Sequence, residues 1–143
     1  MGWRNSHLHS FTMGDVTYGG HDEDWSDDEI DEIDETTVTL VHALADHKRF
    51  LYVYDFGDDW CHDIVVEDEV RTRDGLKFAV CVDGANACPP EDCGGTSGYA
   101  ELRDILADPT RDEREELLDW LGGAFDPSAF DLVAVNAALQ RVR

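Results

Sequence analysis

Residues 50–67 constrain the fold more than any other stretch of the chain. Leu51-Tyr52-Val53-Tyr54-Asp55-Phe56 and Cys61-His62-Asp63-Ile64-Val65-Val66 are rich in β-branched and aromatic residues, a composition that suits a pleated, half-buried surface. Gly57-Asp58-Asp59-Trp60 lies between them, so the segment predicts a β-hairpin. With Asp58 and Asp59 at the tip, Asp55 faces His62, Val53 faces Ile64 and Leu51 faces Val66. Cross-strand neighbours sit about 5 Å apart at Cβ, which lets Asp55 and His62 hydrogen-bond. A slip of register would separate them.

Other segments fit around this hairpin. His7-Leu8-His9-Ser10-Phe11 alternates like a strand, with His7, His9 and Phe11 on one face. Residues 15–18 continue as a second short strand ending at Gly19-Gly20. Residues 36–41 are β-branched and strand-like, and residues 42–47 read as a turn or short helical segment. Residues 76–81 predict another strand after Asp74-Gly75. Residues 84–98 form a loop, stiffened by Pro89-Pro90 and loosened by Gly94-Gly95.

The C-terminal third reads as helical. Thr96 or Ser97 can cap a helix that stops before Pro109. Thr110-Arg111-Asp112-Glu113 has the capping-box spacing and precedes a helix ending at Gly122-Gly123. Asp126-Pro127 fits an N-cap followed by proline at the first helical position. Strands come first and helices later. The expected class is therefore α+β: a largely antiparallel sheet with a central hairpin, then about three C-terminal helices. No internal repeat is present, and the 143 residues are expected to form a single domain, 1–143, with an acidic loop over residues 19–35.

Charge narrows the function. Asp and Glu number 33 against 11 Lys and Arg, a formal charge of -22. Binding a phosphate backbone needs a basic stripe, so this balance argues against nucleic acid as a partner, and equally against an anionic membrane surface. The 42% hydrophobic fraction argues against a wholly disordered acidic chain. Residues 22–35 alone hold ten carboxylates and no Lys or Arg. Only Lys48 and Lys77 are lysines. Asp excess with Lys scarcity suits either adaptation to high salt or an Arg-favouring genome with one acidic loop. The N-terminus is polar and no apolar run approaches the ~20 residues of a membrane span. The expected location is the cytoplasm, where Cys61, Cys81, Cys88 and Cys93 would be thiols or metal ligands.

Three segments together carry a resemblance. They are Met1-Gly2-Trp3 running into His7-Leu8-His9-Ser10-Phe11, then residues 52–62, then Cys88-Pro89-Pro90-Glu91-Asp92-Cys93-Gly94-Gly95 with Gly98-Tyr99. In this order, with Trp120 and Phe125-Asp126-Pro127 later, the chain closely resembles the plasmid pRiA4b ORF-3-like family. The resemblance implies an α+β domain of bacteria and archaea, often near mobile elements, without an assigned biochemical activity. In that family the Met1-Gly2-Trp3-like segment follows a further strand and helix, so a longer native chain or a shortened member is expected. A missing strand would leave an edge that invites self-association or strand addition by a partner.

For several residue groups a chemical role competes with a structural one. His62, Cys81, Cys88 and Cys93 are candidate Zn²⁺ ligands, with four residues between Cys88 and Cys93; the competing reading is buried or loop thiols. Asp55 with His62, and Asp58, Asp59, Glu91 and Asp92 elsewhere, could serve acid–base chemistry, with His7 and His9 joining them; the alternative is that they satisfy each other and shape the turn. Some family members carry a resolvase-like label, but no serine here sits in an arginine-rich setting. Gly94-Gly95-Thr96-Ser97-Gly98 before a helix could hold an anion or simply turn the chain. The leading expectation is a small non-enzymatic binding or interaction module. Its candidate surface combines His7, His9, Asp55, Asp58, Asp59, Trp60, His62, Glu91 and Asp92. Its partner would be a protein or small molecule, or a second copy of the chain. The competing expectation is a metal-dependent hydrolase or nuclease-like enzyme that uses the hairpin His and Asp residues.

Overall fold

The structure is a computed structural model that describes residues 2–20, 32–67 and 79–141. Its contacts divide into two compact units: Asn5–Glu69, and Met1–Arg4 with Val70–Arg143.

The first unit is a five-stranded sheet. The strands are β1 (His9–Met13), β2 (Val16–Gly19), β3 (Glu32–Asp34), β4 (Arg49–Tyr54) and β5 (Trp60–Val65). They lie in the order β3-β2-β1-β4-β5. Every pair is antiparallel except β2–β3. β1 and β2 are joined by Gly14 and Asp15, with Gly14 at φ 63, a conformation that glycine adopts without penalty. Met13, Ala43 and Phe50 centre the core, and Phe11, Tyr18, Val38, Leu44, Ile64 and Val66 pack around them. Ala43 belongs to α1 (Leu40–Leu44), a short helix over the sheet face that carries Phe11, Met13 and Phe50. The opposite face is more open: Leu51 and Val65 are exposed, and Arg49 pairs with Asp63 at 3.1 Å.

The expected strand over residues 36–41 does not form. Asp34 accepts from the Thr36 amide at 2.9 Å and starts a single turn of 3-10 helix, Glu35–Thr37. Thr39 then caps α1 by accepting from His42 N. Side-chain capping by short polar residues wins here over β propensity. The acidic stretch also ends differently: Glu32–Asp34 pairs with β2, whereas residues 21–31, including Trp25 and Ile30, lie outside the described residues.

The second unit carries α2 (Gly95–Ala107), α3 (Arg114–Leu121) and α4 (Leu132–Leu139). Each starts differently from expectation. α2 is entered from Gly94 at φ 86, so Thr96 and Ser97 lie inside the first turn and do not cap it. A Cβ at Gly98 would overlap the Cys93 carbonyl oxygen, so the helix start is built on glycine. The capping box at Thr110 is absent, because Thr110 donates its amide and hydroxyl to Asp108 Oδ1. α4 begins at Asp131, which accepts from Ala134 N at 2.9 Å, while Asp126 instead turns the chain through Ser128. The Gly122 terminus of α3 is as expected, in the left-handed region at φ 73. The strand expected over residues 76–81 is absent in its described part, residues 79–81. There the Asn136 side chain takes the place of a strand partner, bonding Cys81 N at 2.9 Å and Cys81 O at 3.0 Å.

Candidate functional site

The hairpin register decides the site. Tyr54 pairs with Trp60, Val53 with Cys61 and Tyr52 with His62, leaving residues 55–59 as the loop. Asp55 therefore sits in the turn, not opposite His62, and the expected Asp55–His62 pair is corrected. The physical reason is the Asp55 side chain itself. It adopts φ 58, and its Oδ1 accepts from Gly57 N at 3.0 Å and Asp58 N at 3.3 Å. Its backbone carbonyl accepts from Asp59 N. Asp tolerates this left-handed conformation and bonds its own following amides, so a longer loop is preferred over a tight tip.

A different imidazole meets Asp55. His7 Nδ1 lies 3.6 Å from Asp55 Oδ2, and the His7 ring stands edge-on to Tyr54. Tyr54 is 1% exposed, and its phenol oxygen accepts from Ser6 N at 3.1 Å. His62 instead lies with Nδ1 3.3 Å from the Tyr52 carbonyl oxygen, its ring tilted against Tyr52. Trp60 is buried, Asp58 contributes a loop amide, and Asp59 accepts from the Cys61 thiol. These roles build the hairpin.

The second imidazole–carboxylate pair lies at the edge of a recess. His9 Nε2 is 3.2 and 3.1 Å from the two Glu35 oxygens. His9 also contacts Phe11 and Tyr52, which stack with ring centres 4.8 Å apart. Burial, with smaller contributions from Tyr54 and the Glu35 carboxylate, holds the Tyr52 phenol above its usual range. Beside this cluster is a recess of about 310 Å³. Phe11, Met13 and Tyr18 form its sheet side. Val38, Leu40 and Ala43 form the opposite wall, and Glu35 and Thr36 its polar margin. Apolar walls with a few placed polar groups are the usual make-up of a small-ligand site, and this volume lies at the small end of their range.

Glu35 and the recess walls are the functional candidates that sequence reasoning missed. Phe11 and His9 were visible from alternation. Glu35 is one of ten carboxylates in residues 22–35, and nothing local sets it apart.

The remaining candidates belong to the second unit. Trp3 Nε1 donates to Pro89 O at 2.9 Å, and Glu91 Oε1 accepts from Arg4 N at 2.8 Å. Asp92 occupies the left-handed region at φ 56, where the loop turns toward α2. Burial pushes the Cys88 thiol up, with the Gly2 and Trp3 amides pulling partly the other way. Burial and Asp59 likewise raise the Cys61 thiol. Raised thiols are poor nucleophiles at neutral pH. Among the described residues, neither His62 nor any cysteine joins a cluster of three or more His, Cys, Asp or Glu side chains close enough to share an ion. Within the second unit, Cys81, Cys88 and Cys93 form no such cluster among the described residues, and His62 belongs to the first unit.

The described residues define an α+β protein with a mostly antiparallel sheet, an apolar recess on one sheet face, and two histidine–carboxylate pairs. The chain belongs to the plasmid pRiA4b ORF-3-like protein family, which matches residues 1–134. It is 40% identical over 142 residues to an uncharacterised protein, y4hQ, of Sinorhizobium fredii, covering 97% of this chain and 71% of that relative. The crystal structure of a protein of unknown function from Methanosarcina mazei is similar, with a TM-score of 0.78 and 31% identity over 92% of this chain and 74% of that one. The relatives' names state no activity. Among the described residues no helix is long and apolar enough to cross a membrane.

Proposed function

We propose that the chain is a non-enzymatic binding module of the cytoplasm, and that its ligand enters the recess between β1, β2 and α1. The supporting observation is the recess itself: about 310 Å³, walled by apolar side chains and edged by the His9–Glu35 pair. The part of these apolar walls that still meets water gains free energy when a ligand covers it, at roughly 25 cal/mol per Å². The test is titration of the protein with phenethyl alcohol, a neutral probe, followed by amide chemical shifts. Saturable shifts confined to residues 11–18 and 35–43 are expected. Leu40→Trp, which fills the recess from an exposed position, should weaken binding by about tenfold or more. Shifts scattered over the chain, or binding indifferent to that substitution, would overturn the reading.

A metal-dependent hydrolase is the competing reading, and the His7–Asp55 contact is what favours it. Asp55 is poorly suited to it, since one of its oxygens already holds two loop amides. Metal analysis of protein purified without chelator separates the two readings: a stoichiometric ion displaced by His7→Ala would favour the enzyme.

A further inference from the structure

We infer that the recess selects a small amine: an ammonium group carried on an apolar tail. This rests on the recess being the binding site, and it goes further by fixing the chemistry of the ligand. The volume of about 310 Å³ lies at the small end of small-ligand sites and suits a small ligand.

The walls set the tail and the margin sets the head. Phe11, Met13, Tyr18, Val38, Leu40 and Ala43 offer no charged group to a ligand inside. Among the described residues that line the recess, Glu35 is the charged one, and none is Lys or Arg. His9 donates to Glu35 through a single nitrogen placed about equally from both oxygens, at 3.2 and 3.1 Å. A carboxylate has about four acceptor positions, so one imidazole nitrogen leaves room for an ammonium donor. The Thr36 hydroxyl is committed to Asp34 Oδ1 at 2.7 Å and does not compete for Glu35.

Charge then decides among three ligands with the same tail. A carboxylate head would sit against Glu35 and enter the field of a chain with net charge -22. A hydroxyl head would gain an ordinary hydrogen bond. An ammonium head would gain a charge-assisted bond, roughly twice as strong.

The test uses phenethylamine, phenethyl alcohol and phenylacetate on the whole chain, by calorimetric titration in low salt. The amine should bind about tenfold or more tighter than the alcohol, and phenylacetate most weakly. Glu35→Gln should bring the amine to the level of the alcohol. Should that variant fold poorly, the same comparison on the unaltered protein in rising NaCl serves in its place. The amine's advantage should then shrink while the alcohol's affinity holds. Equal binding of amine and alcohol, with Leu40→Trp still weakening both, would overturn the amine preference and leave the recess as a binding site. Failure of all three probes to bind would overturn both. Phenylacetate binding as tightly as the amine would overturn the charge argument directly.

Discussion

Asp55 shows how one residue moves a site. Its Oδ1 holds the Gly57 and Asp58 amides, and that local preference shifts the hairpin register by which His62 was expected to meet it. The identities of the interesting residues were legible, because His7, His9, Asp55 and His62 stand out in a chain of mostly acidic surface. Their partners were not, because a cross-strand partner depends on loop length, and loop length here depends on a side chain bonding its own backbone. If Asp55 acts chiefly through the turn, Asp55→Asn keeps an acceptor and tolerates φ 58, and should cost less than about 0.5 kcal/mol. Asp55→Ala loses both bonds and should cost about 1–2 kcal/mol. Urea unfolding midpoints measure the difference. Equal losses in the two variants would shift the weight from the turn to the His7 contact.

Elements were legible where their signal is periodic and obscure where it is capped. β1, β2, β4 and β5 follow from alternation and β-branched composition. The 3-10 turn and α1 stand where Thr-Thr-Val-Thr reads as a strand, because Asp34 and Thr39 offer the backbone local acceptors. Helix starts moved for the same reason in reverse: Asp108 holds Thr110, the expected cap of α3, and Asp126, the expected cap of α4, turns the chain through Ser128 instead. Residues 79–81 show the strongest tertiary effect. The chain there is held by the Asn136 side chain, which supplies one donor and one acceptor to Cys81 as a neighbouring strand would. Asn136→Ala should lower stability by about 1–3 kcal/mol, since both backbone groups lose a partner in a half-buried position. Asn136→Asp keeps the acceptor for Cys81 N and should cost less. Thermal unfolding of the two variants orders them, and an unchanged midpoint for Asn136→Ala would show that the pairing adds nothing.

For the whole molecule, charge sets the response to solvent. A net charge of -22 on 143 residues repels itself, and salt screens that repulsion, with a Debye length near 3 Å at 1 M. Raising NaCl from low ionic strength to about 1 M should therefore raise Tm, by several degrees if the gain is about 1 kcal/mol. A flat or falling Tm in a calorimetric salt series would show that the carboxylates are spaced or paired well enough to cancel their repulsion. By itself the sequence determined the class, the strand-then-helix order, the sign of the surface and the aromatic make-up of the sheet. Those follow from periodicity and composition, which need only neighbouring residues. The tertiary structure alone decided that His7 meets Asp55, that His9 meets Glu35, and that Phe11, Tyr18, Val38 and Leu40 enclose a recess. Each of those joins residues on different elements, and their meeting is fixed by register and by where α1 lands on the sheet, which no local pattern encodes.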